Sequence, residues 1–214
     1  MAIDKKKRPI IILYAVVLVL LAVFVLSAEY VFDNDNPNSS KQAETSSMVE
    51  GIAGLKLGGE YELMSHDGVM VTNATYHDKP RLMFFGFTYC PDICPTELAM
   101  ITRVLNDMDE EKTEDLKVLF VSVDPERDTP EQLKEYLSLF HPKIEGLTGS
   151  EEQVEHVKNL FKVYSSKVFP EDGNDYTVDH SAFLYFFDAD NQLVAMLKHG
   201  ATEKDLKSVL SKHL

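Results

Sequence analysis

The chain has 214 residues, 44% of them hydrophobic and 26% charged, a composition typical of a globular domain with short appendages. Its net charge is −14; the first eight residues carry +3, so the remainder carries −17. A body this acidic argues against nucleic acid or an anionic lipid surface as a partner, and it suits a cation or a basic protein. The same charge also keeps a domain soluble.

The N-terminal segment is predicted to be a membrane anchor. Residues 10–28 are a run of nineteen residues without a charge, which as a helix would span about 28 Å, close to the hydrocarbon thickness of a bilayer. The basic residues at 1–9 are expected to stay in the cytoplasm, with the rest of the chain across the membrane. A cleaved signal peptide is the alternative, but its apolar region would be shorter, and cleavage after Ala28 would put Leu26 where a small residue is preferred.

Residues 29–59 are predicted to be a flexible linker, because the chain from Asp33 onwards is polar and lacks a long apolar pattern. Residues 60–214 are predicted to form one domain. The short basic start lacks the arginine-rich and serine-rich composition of a transit peptide. We therefore expect a bacterial inner membrane, with the domain in the periplasm, rather than a mitochondrial membrane.

The predicted domain alternates strands and helices. The almost wholly apolar run at 81–87 predicts a central strand that is buried on both faces. Other strands are predicted at 61–65, 69–72, 117–123, 181–187 and 192–197, and helices at 95–108, 130–140, 150–164 and after Thr202. This order predicts an α/β fold with a mainly parallel sheet, to which the closing hairpin adds antiparallel strands. A cysteine pair between the first long strand and a helix favours a thioredoxin-like fold, with an extra N-terminal hairpin and an inserted helix.

The only two cysteines, Cys90 and Cys94, form a Cys-x-x-x-Cys motif in which each cysteine precedes a proline. Pro95 suits the start of a helix, and Pro91 with Asp92 suits a type I turn that folds Cys90 back towards Cys94. Both sulfurs are therefore expected near the positive end of a helix, where the thiolate is favoured. Four interpretations remain open: disulfide exchange, attack on a peroxide, binding of a soft metal such as Cu(I), and a structural pair.

A third ligand for Cu(I) would have to be a distant side chain, because two thiolates and one imidazole satisfy this low-coordinate ion. His180 is the candidate, since it precedes an apolar strand whose entering loop, in a thioredoxin-like sheet, faces the cysteine corner. Thioredoxins carry a cis-proline in that loop, and this chain has no proline there. A purely structural histidine is the alternative. The other histidines are assigned structural roles: His66, His77, His141, His156, His199 and His213.

Acidic residues near these motifs are interpreted mainly as structural. Asp92 either stabilises the turn between the cysteines or attracts a cation. The segment from Asp124 to Pro130 follows a predicted strand, so it should lie at the same edge of the sheet as the cysteines. It either lines the site or caps the next helix, and capping is favoured.

Three separated motifs resemble the Sco/SenC family: residues 86–98 around the cysteines, residues 121–130, and residues 178–181. The likeness extends from Gly58 to the C-terminus. It implies a membrane-anchored thioredoxin-like domain that binds copper and helps to assemble the dinuclear copper centre of cytochrome c oxidase. The family's copper ligands correspond to Cys90, Cys94 and His180 in this sequence.

The resemblance also implies one partner, the oxidase subunit that receives the copper. A thioredoxin-like reductant is expected as a second partner, because copper loading requires reduced cysteines and the domain is expected in an oxidising compartment. The main alternative is a thiol–disulfide oxidoreductase acting on that subunit, or a redox sensor, with Cys90 and Cys94 forming a redox disulfide. A peroxidase is disfavoured, since Pro91 stands where peroxiredoxins carry a hydroxyl residue. The chain is thus interpreted as a metal carrier rather than an enzyme.

Overall fold

The computed structural model describes residues 48–50, 56–171 and 175–214. The predicted anchor at 10–28 and the basic start at 1–9 lie outside these residues, as does most of the predicted linker. Within the described ranges, no helix combines the length and the apolar composition needed to cross a membrane.

The described residues contain ten strands and five α-helices. The strands are β1 (Met48–Glu50), β2 (Glu62–Ser65), β3 (Met70–Thr72), β4 (Arg81–Gly86), β5 (Lys117–Ser122), β6 (Ile144–Thr148), β7 (Ser165–Val168), β8 (Thr177–His180), β9 (Phe183–Phe187) and β10 (Leu193–Lys198). The helices are α1 (Ile93–Asp107), α2 (Glu110–Thr113), α3 (Pro130–Leu137), α4 (Glu151–Phe161) and α5 (Glu203–His213).

Eight of these strands form one mixed sheet in the order β1-β10-β9-β4-β5-β6-β2-β3, and β7 pairs with β8 in a separate small sheet. Within the described ranges, only the β4–β5 and β5–β6 pairs are parallel. The prediction of a mainly parallel sheet is therefore wrong. Parallel neighbours require long crossover connections, which here follow only β4 and β5, whereas the hairpins β2–β3 and β9–β10 flank the centre with antiparallel strands.

Four strands, β1, β6, β7 and β8, were not predicted. In β6, Glu145 and Gly146 interrupt the apolar pattern, although the strand lies inside the sheet. Gly146 allows α3 to pack closely, because a Cβ there would lie 2.7 Å from Cδ1 of Leu137. Strand β1 falls within the range predicted as a linker and pairs with β10. Such strands depend on their partners rather than on a local signal.

The predicted helix starts at Thr129, Ser150 and Thr202 are confirmed. The side chain of Thr129 accepts a hydrogen bond from the backbone N–H of Gln132 at 3.2 Å, and Ser150 and Thr202 each complete a capping box. Helices α3 and α4 end earlier than predicted. At the end of α4, Lys162 adopts a left-handed conformation with φ of 56°, which stops the helix.

The sheet separates two apolar cores, and β4 contributes to both. Leu82 and Phe84 pack beneath α1, α3 and α5, whereas Met83 and Phe85 pack on the opposite face beneath α4. The prediction that this strand is buried on both faces is therefore confirmed. Cys90 packs against both cores at the end of the same strand, so the cysteine corner lies where the two layers meet.

Candidate metal centre

The loop between β4 and α1 brings the two cysteines together. The backbone N–H of Cys90 donates to the carbonyl of Phe87 at 3.2 Å, and the backbone N–H of Cys94 donates to Sγ of Cys90 at 3.4 Å. Helix α1 begins at Ile93, two residues before the predicted start at Pro95. The type I turn is not formed, because Asp92 has φ of −142° and ψ of −63°, far from the conformation that such a turn requires.

Gly86 makes room for the second sulfur. Cys94 is fully buried, and a Cβ at position 86 would lie only 2.7 Å from its Sγ and 2.7 Å from Cε2 of Phe120. Real Cβ atoms do not approach other atoms this closely, so a larger residue would displace the sulfur or the ring. The glycine at the end of β4 thus permits Cys94 to pack against the strand.

His180, which is 86 residues from Cys94 in sequence, reaches the same place. Its Nε2 lies 3.6 Å from Sγ of Cys94, and the ligand atoms of Cys90, Cys94 and His180 all lie within 4.8 Å of one another. The structure therefore brings together the three residues that were predicted from the sequence to form one site. Their role as metal ligands stays a prediction.

The imidazole of His180 is held in one orientation. Its Nδ1 lies 3.1 Å from the carbonyl of Ser181, which it can contact only as a donor, while Nε2 faces the two sulfurs. The ring packs edge-to-face on Phe87, with the ring centroids 5.7 Å apart, and also contacts Phe84. His180 ends strand β8 instead of lying in an irregular loop. The described part of the chain has no disulfide, and both thiols are free.

The two thiols differ in acidity. A hydrogen bond from the thiol of Cys94, assisted by His180 and by the backbone of Cys94 and Asp92, lowers the pKa of Cys90 to about 4, against the opposing effect of burial. The pKa of Cys94 is raised, because its proton is held by the sulfur of Cys90 and because it is buried. The expectation that both sulfurs favour the thiolate is therefore wrong. At neutral pH one thiolate and one thiol share the site.

Asp128 anchors the cysteine loop rather than capping a helix. Its Oδ1 accepts hydrogen bonds from the backbone N–H of Thr88 at 3.2 Å and from the Thr88 hydroxyl at 2.7 Å, and its Oδ2 accepts one from the Ser122 hydroxyl at 2.6 Å. The carboxyl group is fully buried, and burial raises its pKa. The cap of α3 is Thr129, so the favoured interpretation of this segment as a cap holds for Thr129 but is wrong for Asp128.

A cavity of ≈ 360 Å³ opens beside Cys90 and His180, lined in part by Phe87, Pro91 and Ile93. Two exposed carboxylates, Asp92 and Asp179, stand on its rim. The negative charge of these carboxylates would attract a cation or a basic protein surface to the mouth of the cavity.

None of the other six histidines lies with the two cysteines and His180. His66 contacts Gly146, His77 contacts Asp78, and His141 contacts Lys143. His156 contacts Glu60, His199 contacts Glu97, and His213 contacts Phe186.

Two further residues, Arg127 and Tyr176, pack beside the site and were not predicted from the sequence; the guanidinium of Arg127 lies over the ring of Tyr176. The arginine lies within a motif quoted for the family resemblance, so that motif was the available signal. Tyr176 gives no local signal, because its importance depends on a contact across 49 residues of sequence.

Comparison with known proteins identifies relatives of the whole described domain. A profile of the SCO1/SenC family matches residues 50–214. A SCO2-like protein of Rickettsia conorii is 40% identical over 157 residues, covering 73% of this chain and 75% of the relative. The mitochondrial SCO2 protein of Saccharomyces cerevisiae is 40% identical over 169 residues, covering 78% of this chain and 54% of the relative.

Solved structures give the same result. The structure of Bradyrhizobium japonicum ScoI with copper bound is 40% identical and aligns with a TM-score of 0.68, covering 74% of this chain and 99% of that chain. Yeast Sco1 with copper bound is 39% identical and aligns with a TM-score of 0.68, covering 74% and 88%. The predicted α/β thioredoxin-like class and the family resemblance are confirmed.

Proposed function

Because the chain belongs to the SCO1/SenC family, we propose that it is a copper metallochaperone that holds the ion through Cys90, Cys94 and His180. The observation that carries the proposal is the convergence of two sulfurs and one imidazole nitrogen within 4.8 Å. Two relatives of known structure were solved with copper bound, which supports the choice of metal.

The donor set fits Cu(I). Thiolates are soft ligands and imidazole is intermediate, so this set suits a soft ion that needs few ligands. Cys90 is already a thiolate at neutral pH, whereas Cys94 must lose its proton when the metal binds. Two thiolates and Cu(I) leave one net negative charge in a partly buried site. This charge and the open cavity make transfer to another protein feasible.

We further propose that the receiving protein is the copper-binding subunit of cytochrome c oxidase, and that a thioredoxin-like reductant keeps the cysteines reduced. Residues 10–28 would anchor the chain in the inner membrane, with the domain in the periplasm. The family resemblance, the apolar run at 10–28 and the acidic rim of the cavity support this assignment.

An anaerobic Cu(I) titration of the reduced full-length protein in detergent micelles, against a chromophoric Cu(I) chelator, tests the site. We expect one tightly bound ion for the parent protein and about tenfold or greater loss of affinity for His180→Ala, because one of three ligands is removed. The matched control is His156→Ala, because His156 is exposed and its imidazole hydrogen-bonds to the backbone carbonyl of Glu60, away from the cysteines. Equal affinities of the parent and His180→Ala would remove His180 from the site.

A second candidate function is thiol–disulfide exchange, which the asymmetry of the two thiols favours. The partly exposed thiolate of Cys90 would attack a substrate disulfide and release one substrate thiolate. Cys94, on losing its proton, would then attack the sulfur of Cys90, releasing the second substrate thiolate and leaving a Cys90–Cys94 disulfide. A dithiol reductant would reduce this disulfide and become oxidised to its own disulfide. Disulfide exchange should largely survive His180→Ala, whereas copper retention should not. Cys94→Ser should trap the mixed disulfide if this chemistry occurs.

A further inference from the structure

The strand that carries His180 has no backbone pairing with the main sheet and is held to it by side-chain contacts, among them Val178 in the core beneath α4. Strand β8 pairs only with β7 in the described residues, and this pair forms a separate two-stranded sheet. The cysteines, by contrast, follow β4, which pairs with β5 and β9 in the centre of the main sheet. The distance between the imidazole and the sulfurs therefore depends on contacts that tie β8 to the cysteine loop.

Arg127 makes such contacts with the residues preceding β8. One N–H of its guanidinium, at Nη1, donates to the carbonyl of Tyr176 at 2.8 Å, and its Cζ lies 3.7 Å from the centre of the Tyr176 ring. Nε donates to Oδ2 of Asp124 at 2.6 Å, while the Tyr176 hydroxyl donates to Oδ1 of the same carboxylate at 2.8 Å. Asp124 is fully buried, so the carboxylate is a fixed point to which both side chains are attached.

The same guanidinium also contacts the cysteine loop. Its Cζ lies 4.8 Å from the ring centre of Tyr89, the residue before Cys90, and 5.9 Å from that of Phe87. The ring of Phe87 in turn packs against the ring of His180. The side chain of Arg127 is only 12% exposed, and cation–π interactions are stronger when the cation is shielded from water.

We propose that Arg127 is a positioning residue that ties β8 to the cysteine loop and thereby fixes His180 at its distance from the two sulfurs. The planar guanidinium can donate to Asp124 and to the Tyr176 carbonyl at the same time while its face lies on aromatic rings. A lysine ammonium is a point charge on a flexible stem and cannot reproduce that combination. The inference rests on the proposed copper site, and it assigns a role that none of the three ligands performs.

Hydrogen exchange on the metal-free protein tests, independently of copper, whether Arg127 holds β8 against the cysteine loop. In Arg127→Met, which keeps much of the apolar stem, we expect the backbone amides of β8 to exchange at least about tenfold faster, while those of β4 keep their rates. The matched control is Arg103→Met, which removes an exposed arginine paired with Glu203. Unchanged exchange in β8, or equal acceleration in β4 and β8, would overturn the proposal.

A double-mutant cycle of Cu(I) affinity then tests whether Arg127 acts through His180. We expect Arg127→Met to lower the affinity by about tenfold to a hundredfold in the parent, and to have little further effect in the His180→Ala background. An equal loss in both backgrounds would overturn the positioning role. If His180→Ala alone leaves the affinity unchanged, the proposed copper site fails, whereas the exchange measurement still decides whether Arg127 ties β8.

Arg127→Lys is a second, more conservative variant, which keeps the test possible if Arg127→Met does not fold. Because lysine retains the positive charge but not the planar, forked set of N–H donors, we expect faster hydrogen exchange in β8 and weakened copper binding, as for Arg127→Met. Full recovery of both quantities by lysine would show that only the charge matters and would contradict the geometric role.

Discussion

The thiols of Cys90 and Cys94 are predicted to lose their protons at very different pH values. The pKa of Cys90 falls from the ordinary value of 9.0 to about 4. At pH 7 this changes the ratio of thiolate to thiol from about 1:100 to about 1000:1. The pKa of Cys94 moves in the opposite direction. Between about pH 5 and 8 the reduced protein should therefore carry one thiolate in total.

Thiolate absorbance near 240 nm, measured as a function of pH on the reduced, metal-free protein, checks this. We expect one thiolate per chain from about pH 5 upwards and no second step before the ordinary thiol range is passed. Cys94→Ser and His180→Ala should each raise the pKa of Cys90, because each removes a group that stabilises its thiolate. Cys90→Ser provides the baseline. Two equal steps near pH 9 would refute the assignment.

The same shift predicts a pH dependence of stability. A folded-state pKa below the unfolded value stabilises the protein fully above the unfolded pKa, 9.0 for this thiol, and this stabilisation is lost as the pH falls towards the folded value of about 4. The difference in free energy of unfolding between the parent and Cys90→Ser should therefore shrink as the pH falls from 9.0 to about 4. Urea unfolding of both proteins at matched pH values measures it. A difference that grows on acidification would contradict the sign.

Three substitutions test the surroundings of the site. Gly86→Ala should destabilise the protein by about 1–3 kcal/mol in urea unfolding and weaken Cu(I) binding, because its Cβ would lie 2.7 Å from Sγ of Cys94. Asp128→Ala should cost about 1–3 kcal/mol for each buried donor left unpaired, and hydrogen exchange at the Thr88 amide should rise. Ser150→Ala should cost about 1 kcal/mol through loss of the cap of α4, with Cu(I) affinity unchanged.

Leu139→Ala is a suitable control for these variants, because this side chain is 77% exposed and its loss should change stability little. A Gly86→Ala protein with parental stability would show that the sulfur and the Phe120 ring can move aside. Parental exchange at Thr88 in Asp128→Ala would remove the carboxyl from its anchoring role. Weakened copper binding in Ser150→Ala would indicate that α4 communicates with the site.

Several features followed from local sequence. The caps at Thr129, Ser150 and Thr202 depend on side chains that bond to backbone groups within three residues, so their signals are short-range. The continuous apolar run of β4 reflects burial on both faces, which a periodicity argument detects. The cysteine pair combined both kinds of signal. His180 was predicted from its position just before an apolar strand, and the family motifs agreed with that choice.

Only the tertiary structure decided how these parts meet. Which strands pair with one another depends on contacts between residues that are far apart in sequence. The mixed order of the sheet, and the existence of strand β6, could therefore not be predicted from short stretches of sequence. The acidity of Cys90 and the burial of Cys94 arise from their mutual distance and from the core around them. The contacts of Arg127 with Tyr89 of the cysteine loop and with Tyr176 before β8 exist only in the folded chain. Local stereochemistry thus selected the reactive groups, whereas long-range packing set their distances, charges and supports.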